Sequence, residues 1–161
     1  MMDDDVERVW REIGRIETCM MITLDGESVR CRPMVGTPDP EAGTIWFVTR
    51  RSDHKDCELR ADPRVCLAYV DPRTGTYVSI SGTADVLSDR SRLRDVWTPS
   101  IDAWFGEGPD DPEAVLLAVH PECAEYWDNA SPNLLVALEA LTAAGRHEPG
   151  PALAEHVKVR L

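Results

Sequence analysis

The sequence lacks the features that would place it in a membrane, on nucleic acid or in the best-marked enzyme classes. No apolar run in its 161 residues approaches the roughly 18 needed to span a bilayer. Its start, Met1-Met2-Asp3-Asp4-Asp5, is acidic and has neither the basic opening nor the apolar stretch of a secretory signal, so a cytoplasmic protein is expected. Positive charge is scarce. The 17 Lys and Arg stand against 29 Asp and Glu, for a formal charge of −12, which argues against nucleic-acid partners held by phosphate neutralisation. The cysteines (Cys19, Cys31, Cys57, Cys66 and Cys123) make no Cys-x-x-Cys, and the four histidines make no His-x-x-x-His. Neither a disulfide framework nor a metal site is expected. Cys19, Cys31 and Cys66 lie in apolar or alternating runs, where buried thiols usually sit. There is no P-loop, no nucleophile elbow and no Rossmann glycine fingerprint; Gly106-x-Gly108 runs into Pro109 and reads as loop. No pattern singles out a triad, a general acid or a general base, and catalytic residues stay unassigned.

What is present is a globular composition, 43% apolar and 29% charged, in a length suited to one domain over 1–161. Val6, Val9, Trp10, Ile13 and Ile16 recur at three- and four-residue steps, so residues 3–16 are expected to form an amphipathic helix. Strands are expected at 18–24, 28–37, 44–49, 64–70, 76–87 and 113–127. Asp25-Gly26 marks a hairpin between the first two, Gly82 a bulge or close backbone approach in the fifth, and His120-Pro121 a bend in the last. A short helix capped by Ser52 or Asp53 should end by Asp62, because Pro63 restricts the residue before it. Residues 89–105 read as helix interrupted by Pro99, 131–144 as a last helix, and 153–161 as a tail with no clear pattern. Strands joined by short turns predict an antiparallel barrel or sandwich.

The densest chemical signal is Arg50-Arg51-Ser52-Asp53-His54-Lys55, between a strand and a helix in an otherwise acidic chain. A local positive cluster at a helix start suits a phosphate. A solvated surface turn is the alternative. Trp97, Trp104 and Phe105 have two readings as well, core packing or an aromatic wall beside a ligand.

Several stretches, in order, resemble one family. They are Arg30-Cys31-Arg32-Pro33-Met34; Ile45-Trp46-Phe47-Val48-Thr49 with Ser52, Lys55 and Glu58-Leu59; Asp62-Pro63-Arg64-Val65; Tyr77-Val78-Ser79-Ile80-Ser81-Gly82; Trp97, Trp104-Phe105 and Gly108-Pro109; and Pro121-Glu122 with Ala124-Glu125-Tyr126-Trp127. The chain resembles the flavin-binding split-barrel family that includes pyridoxamine 5'-phosphate oxidase, and within it the general stress protein 26-like members. The resemblance implies a mainly β fold with flanking helices, an antiparallel split β-barrel, and a homodimer with FMN bound between subunits. It implies that Lys55, with Ser52 and His54, meets the cofactor phosphate. Arg32, Pro33 and Met34 would run beside the flavin ring, with Phe47, Val48 and Thr49 on the neighbouring strand and Trp104 as an aromatic neighbour. Pro33 removes one backbone donor there. The oxidase's C-terminal Arg-x-His motif has no match, since Arg160 has no His at that spacing, so pyridoxamine-phosphate oxidation is not expected. The implied function is an FMN-dependent oxidoreductase acting on a small molecule, with an electron donor such as NAD(P)H. The alternatives are a flavin binder without turnover, or a split barrel using the deazaflavin F420 or haem.

Overall fold

Antiparallel strands dominate a computed structural model of the chain, which describes residues 3–128, 145 and 155–161. The expected helix at 131–144 lies outside the described residues. An N-terminal helix, α1 (Asp4–Ile16), starts at Asp3, whose carboxylate accepts from Asp5 N–H, and buries Val9, Trp10 and Ile13. The three buried side chains are the 3.6-residue stripe of the sequence, and each contributes about 1.5–3 kcal/mol of apolar burial.

Strands β1 (Thr18–Asp25) and β2 (Ser28–Asp39) form the expected hairpin, with Asp25 and Ser28 as its last pair and Gly26 at φ 62° in the loop. Next come β3 (Thr44–Arg50), α2 (Lys55–Ala61), β4 (Arg64–Asp71) and β5 (Thr76–Leu87). Two short helices follow, α3 (Arg90–Asp95) and α4 (Pro99–Asp102), then β6 (Ala114–Asp128) and β7 (Glu155–Arg160). The single interrupted helix expected over 89–105 is thus two separate ones, each with its own cap: Asp89 accepts from Arg92 N–H, and Thr98 from Ile101 N–H ahead of Pro99. The unpatterned tail is a strand. It pairs with the second half of β6, where Trp127 and His156 stack with centroids 4.8 Å apart. Glu125 meets His156 at 2.9 Å and Lys158 at 3.1 Å.

Sheet order is β3-β2-β1-β4-β5-β6-β7, and a further β3–β6 ladder closes it into a barrel. The long β6 serves three neighbours, with β5 along one edge and β3 (at 114–119) then β7 (at 123–128) along the other, and its register with β5 shifts between Ser81 and Gly82. A Cβ at Gly82 would sit 2.1 Å from the His120 carbonyl oxygen, so only glycine fits this approach. The interior is filled by alternate residues, among them Met21, Ile45, Phe47, Leu67, Ile80 and Leu117. A smaller cluster of Leu93, Val96, Phe105, Ala114 and Leu116 packs outside β3 and β6.

Closure is incomplete in one place. Among the described residues β2 and β3 pair only through Gly36–Asp39 and Thr44–Phe47, and no other ladder covers that side of β2 from residue 35 back to 28. Gly36 marks where the two strands separate. Its Cα lies against the Phe47 ring, so close that a Cβ would be 2.7 Å from ring carbons. This is the split of a split β-barrel. No helix among the described residues is long and apolar enough to cross a membrane.

Candidate functional site

The basic turn leads from β3 into α2 at the widened end of the split. Arg51–Asp53 form one 3-10 turn, and His54 takes the left-handed conformation (φ 61°, ψ 4°), which reverses the chain into α2. A non-glycine residue there is uncommon and marks a constrained position. The expected Ser52 or Asp53 cap is absent: His54 occupies the cap position and no side chain accepts from the helix. Asp53 serves Lys55 instead. The Lys55 ammonium is nearly buried and donates to Thr49 Oγ1 and Asp53 Oδ2, both at 3.0 Å.

The four basic residues of the turn diverge. Arg50 donates to the Trp104 carbonyl and lies over the Phe105 ring, 5.3 Å from its centroid. Arg51 points toward buried Asp56, at 3.9 Å, which Arg60 approaches at 3.6 Å. His54 lines a groove of about 580 Å³ beside Arg30, Cys57 and Glu58. Lys55 alone turns to the barrel end. With α2 only seven residues long, the positive character of this end comes from Lys55 and not from a long helix dipole.

The barrel end itself carries a buried polar network. Thr23 Oγ1 donates to Glu58 Oε2 at 2.6 Å, Arg30 to Glu58 Oε1 at 3.1 Å, and Arg32 both pairs with Glu58 and donates to Thr23 Oγ1 at 2.5 Å. Burial pushes the Glu58 carboxyl up, but the Thr23 and Arg32 hydrogen bonds and the Arg32 and Arg30 charges outweigh it, and its pKa falls below the usual carboxylate value. Thr23, Arg30 and Glu58 were not picked out as site residues in the sequence. The signal for them was the Arg-x-Arg alternation of β2, which sends two cations to the same side as buried Thr23 and half-buried Met34.

Most of the expected site residues gather around the split. Arg32, Pro33 and Met34 lie on the β2 segment without a β3 neighbour. Thr49, Ser52, His54 and Lys55 lie at or beyond the end of β3. Phe47 is a core residue, 1% exposed, and Val48 packs on the outer cluster with Trp46 and Leu87. The Arg32 guanidinium is engaged by Glu58. Trp104 is 70% exposed at the rim past α4, whereas Trp97 donates to Asp102 Oδ1 at 3.0 Å and packs on Phe105. Among the thiols, Cys31 differs from expectation: it is exposed, because it points away from the barrel between inward-facing Arg30 and Arg32. Burial pushes the Cys19 thiol up to about 12. Among the described residues no group of three or more His, Cys, Asp or Glu is placed to hold a metal ion.

The arrangement can seat an anionic group at Lys55 and hydrogen-bond a flat polar edge along the free side of β2. Fold and site together define a split-barrel protein whose turn after β3 carries a nearly buried lysine. The comparisons give the family. The family model described as pyridoxamine 5'-phosphate oxidase like matches residues 4–148, and the chain belongs to that family. It is similar to Protein bli-3 of Neurospora crassa, 31% identical over 121 residues that cover 66% of this chain and 56% of bli-3. The chain therefore spans little more than half the length of that relative. General stress protein 26 of Bacillus subtilis is 33% identical over 100 residues, 60% of this chain and 69% of that protein. The crystal structure of the general stress FMN/FAD binding protein from Xanthomonas citri superposes with a TM-score of 0.69 at 30% identity, over 78% of this chain and 89% of that one.

Proposed function

We propose that this protein binds FMN at the split and works as an FMN-dependent oxidoreductase on a small molecule. The observation that carries the reading is Lys55: a nearly buried ammonium at the end of a barrel whose adjacent strand edge is unpaired among the described residues. The residues fit the cofactor. Lys55 and the Ser52 N–H supply donors for a phosphate, backbone groups of Arg32–Met34 supply partners for the ring edge, and Trp104 supplies an aromatic surface at the rim. Bound FMN would contribute the electron transfer itself; the protein contributes binding, ring environment and access. The similar Xanthomonas protein, named for FMN/FAD binding, supports the flavin class.

The working unit in this reading is a homodimer. Met20, Val29, Val35, Val70 and Tyr77 are large apolar side chains exposed on the outer face of β2, β1, β4 and β5. Register groups four of them: Met20 lies opposite Pro33, two residues from Val35, and opposite Ala68, two residues from Val70, which lies opposite Tyr77, while Val29 lies further along β2 opposite Leu24. A patch of this kind calls for a covering surface, and a two-fold copy is the commonest one.

The test is the absorption spectrum of the purified protein, followed by FMN titration and by turnover with NADH or NADPH. Flavin bands and saturable FMN binding support the reading. Bands of F420 or haem replace it, and flavin binding without turnover reduces it to a binder.

A further inference from the structure

Two of the donors that the turn offers to an anion are held by the chain's own carboxylates. Lys55 Nζ holds Asp53 Oδ2 at 3.0 Å, and the Ser52 N–H donates to Glu113 Oε2 at 3.2 Å. The two acids come from opposite sides. Asp53 belongs to the turn, and its side chain is about half exposed (48%). Glu113 immediately precedes β6, where its backbone is fixed by Arg51 N–H to its carbonyl at 2.8 Å and by its own N–H to Asp111 Oδ1 at 2.9 Å. The sequence cluster is basic, yet its surroundings are close to neutral: Asp53 offsets Lys55, and Asp56 faces Arg51.

We propose that Asp53 and Glu113 determine which anions the turn accepts: they compete for its donors, and a phosphomonoester dianion is the ligand class that displaces them. The proposal rests on the flavin-phosphate reading above. A carboxylate tethered two residues from its partner acts at an effective concentration of mM or higher. A free monoanion therefore gains little by replacing it. A phosphomonoester carries close to two charges near neutral pH and three strong acceptor oxygens, so one group can serve both Lys55 and the Ser52 N–H. Both carboxylates can leave without breaking a strand or helix, since neither of these side-chain contacts belongs to a ladder. Their remaining charge next to a dianion is repulsive and weakens binding.

The experiment is calorimetric titration of FMN and of riboflavin, which lacks the phosphate, into the full chain and three variants at pH 7.5. Asp53→Asn and Glu113→Gln keep the shape and an acceptor oxygen but remove the charge. Glu41→Gln makes the same change of net charge in the exposed turn at the far end of β2 and β3. The expected result is FMN affinity raised about tenfold by Asp53→Asn and severalfold by Glu113→Gln, with riboflavin affinity unchanged and Glu41→Gln without effect. Thermal melts show that each variant is folded; if one is not, the other decides. FMN binding equally to wild type and to the folded charge-removing variants overturns the proposal and leaves the flavin reading intact. Equal tightening by Glu41→Gln, or equal tightening of riboflavin, overturns it too. Binding of neither flavin by any of the four proteins overturns both readings.

Discussion

Arg32 of β2 and Glu58 of α2 form an ion pair that joins the edge of the split to the helix capping the barrel end, with the Thr23 hydroxyl hydrogen-bonded to both. The Glu58 side chain is only 4% exposed, so removing Arg32 leaves it with the half-exposed Arg30 as its remaining cation among the described residues, and removing Glu58 leaves the Arg32 guanidinium without a carboxylate. Because Arg30 and Thr23 stay on Glu58, Arg32→Met is expected to cost less than the full loss of a buried pair, roughly 1–3 kcal/mol in urea unfolding. Replacing the pair together, Arg32→Met with Glu58→Leu, should recover much of that loss, because two apolar groups need no partner. A double variant as unstable as the single one would show that packing, not charge, holds the junction.

The same pair gives a pH dependence. The folded Glu58 pKa lies below its usual value of 4.5, so the unfolded chain binds the proton more readily. The stabilisation is complete above about 4.5 and is lost as pH falls through the folded value. Stability of the wild type should drop in that acid window, and the drop should be smaller in the double variant. Chemical unfolding between pH 6 and pH 3 measures it.

Lys55 is expected to act on phosphate affinity and little else in the ligand. Lys55→Ala should weaken FMN binding about 10- to 100-fold, the value of one charge-assisted contact of ~1.5–3 kcal/mol. Riboflavin affinity should hardly change. Equal losses for both ligands in titration would mean that Lys55 supports the fold of the turn and not a phosphate.

Much of the fold was legible in the sequence, and the reason is periodicity. The α1 stripe, the strands and the crowded Gly82 position each leave a local signature within one element. The split was legible only through the family resemblance and not from any local pattern, because it depends on which parts of β2 and β3 pair. Nor were the side-chain destinations. Arg32 finds Glu58 across 26 residues and Arg50 finds Trp104 across 54, and no local pattern distinguishes these guanidiniums from Arg51, which faces Asp56. The strand at 155–160 had no visible pattern because its stabilising contacts, the Trp127–His156 stack and the Glu125 ion pairs, lie on β6.

Trp104 separates two roles for an aromatic residue. Its indole is 70% exposed while its carbonyl is held by Arg50 at the end of β3. Trp104→Leu should change stability by no more than about 0.5 kcal/mol, the usual range for a surface site. If the indole lies beside a bound flavin ring, the substitution raises bound-flavin fluorescence by removing an electron-transfer quencher. Unchanged emission from a folded, FMN-loaded variant would exclude Trp104 as a ring neighbour.

The outer face of the barrel carries the prediction on assembly. Val35 is 55% exposed on β2 and Met20 38% exposed on β1, and their neighbours Pro33 and Ala68 add no charge. Light scattering of the wild type at micromolar concentration should give about twice the 17.9 kDa chain mass. Val35→Glu places a carboxylate where a second copy would exclude water. In the separate chain that residue stays solvated, so the fold should survive. In a two-fold pair the charge is introduced twice, at about 2–5 kcal/mol for each buried and unpaired copy. The dissociation constant of the pair should therefore rise by roughly a thousandfold or more, and FMN retention should fall with it if the cofactor contacts both subunits. A wild type that scatters as a single chain would remove the dimer. A Val35→Glu protein that stays dimeric and keeps FMN would move the interface to another face.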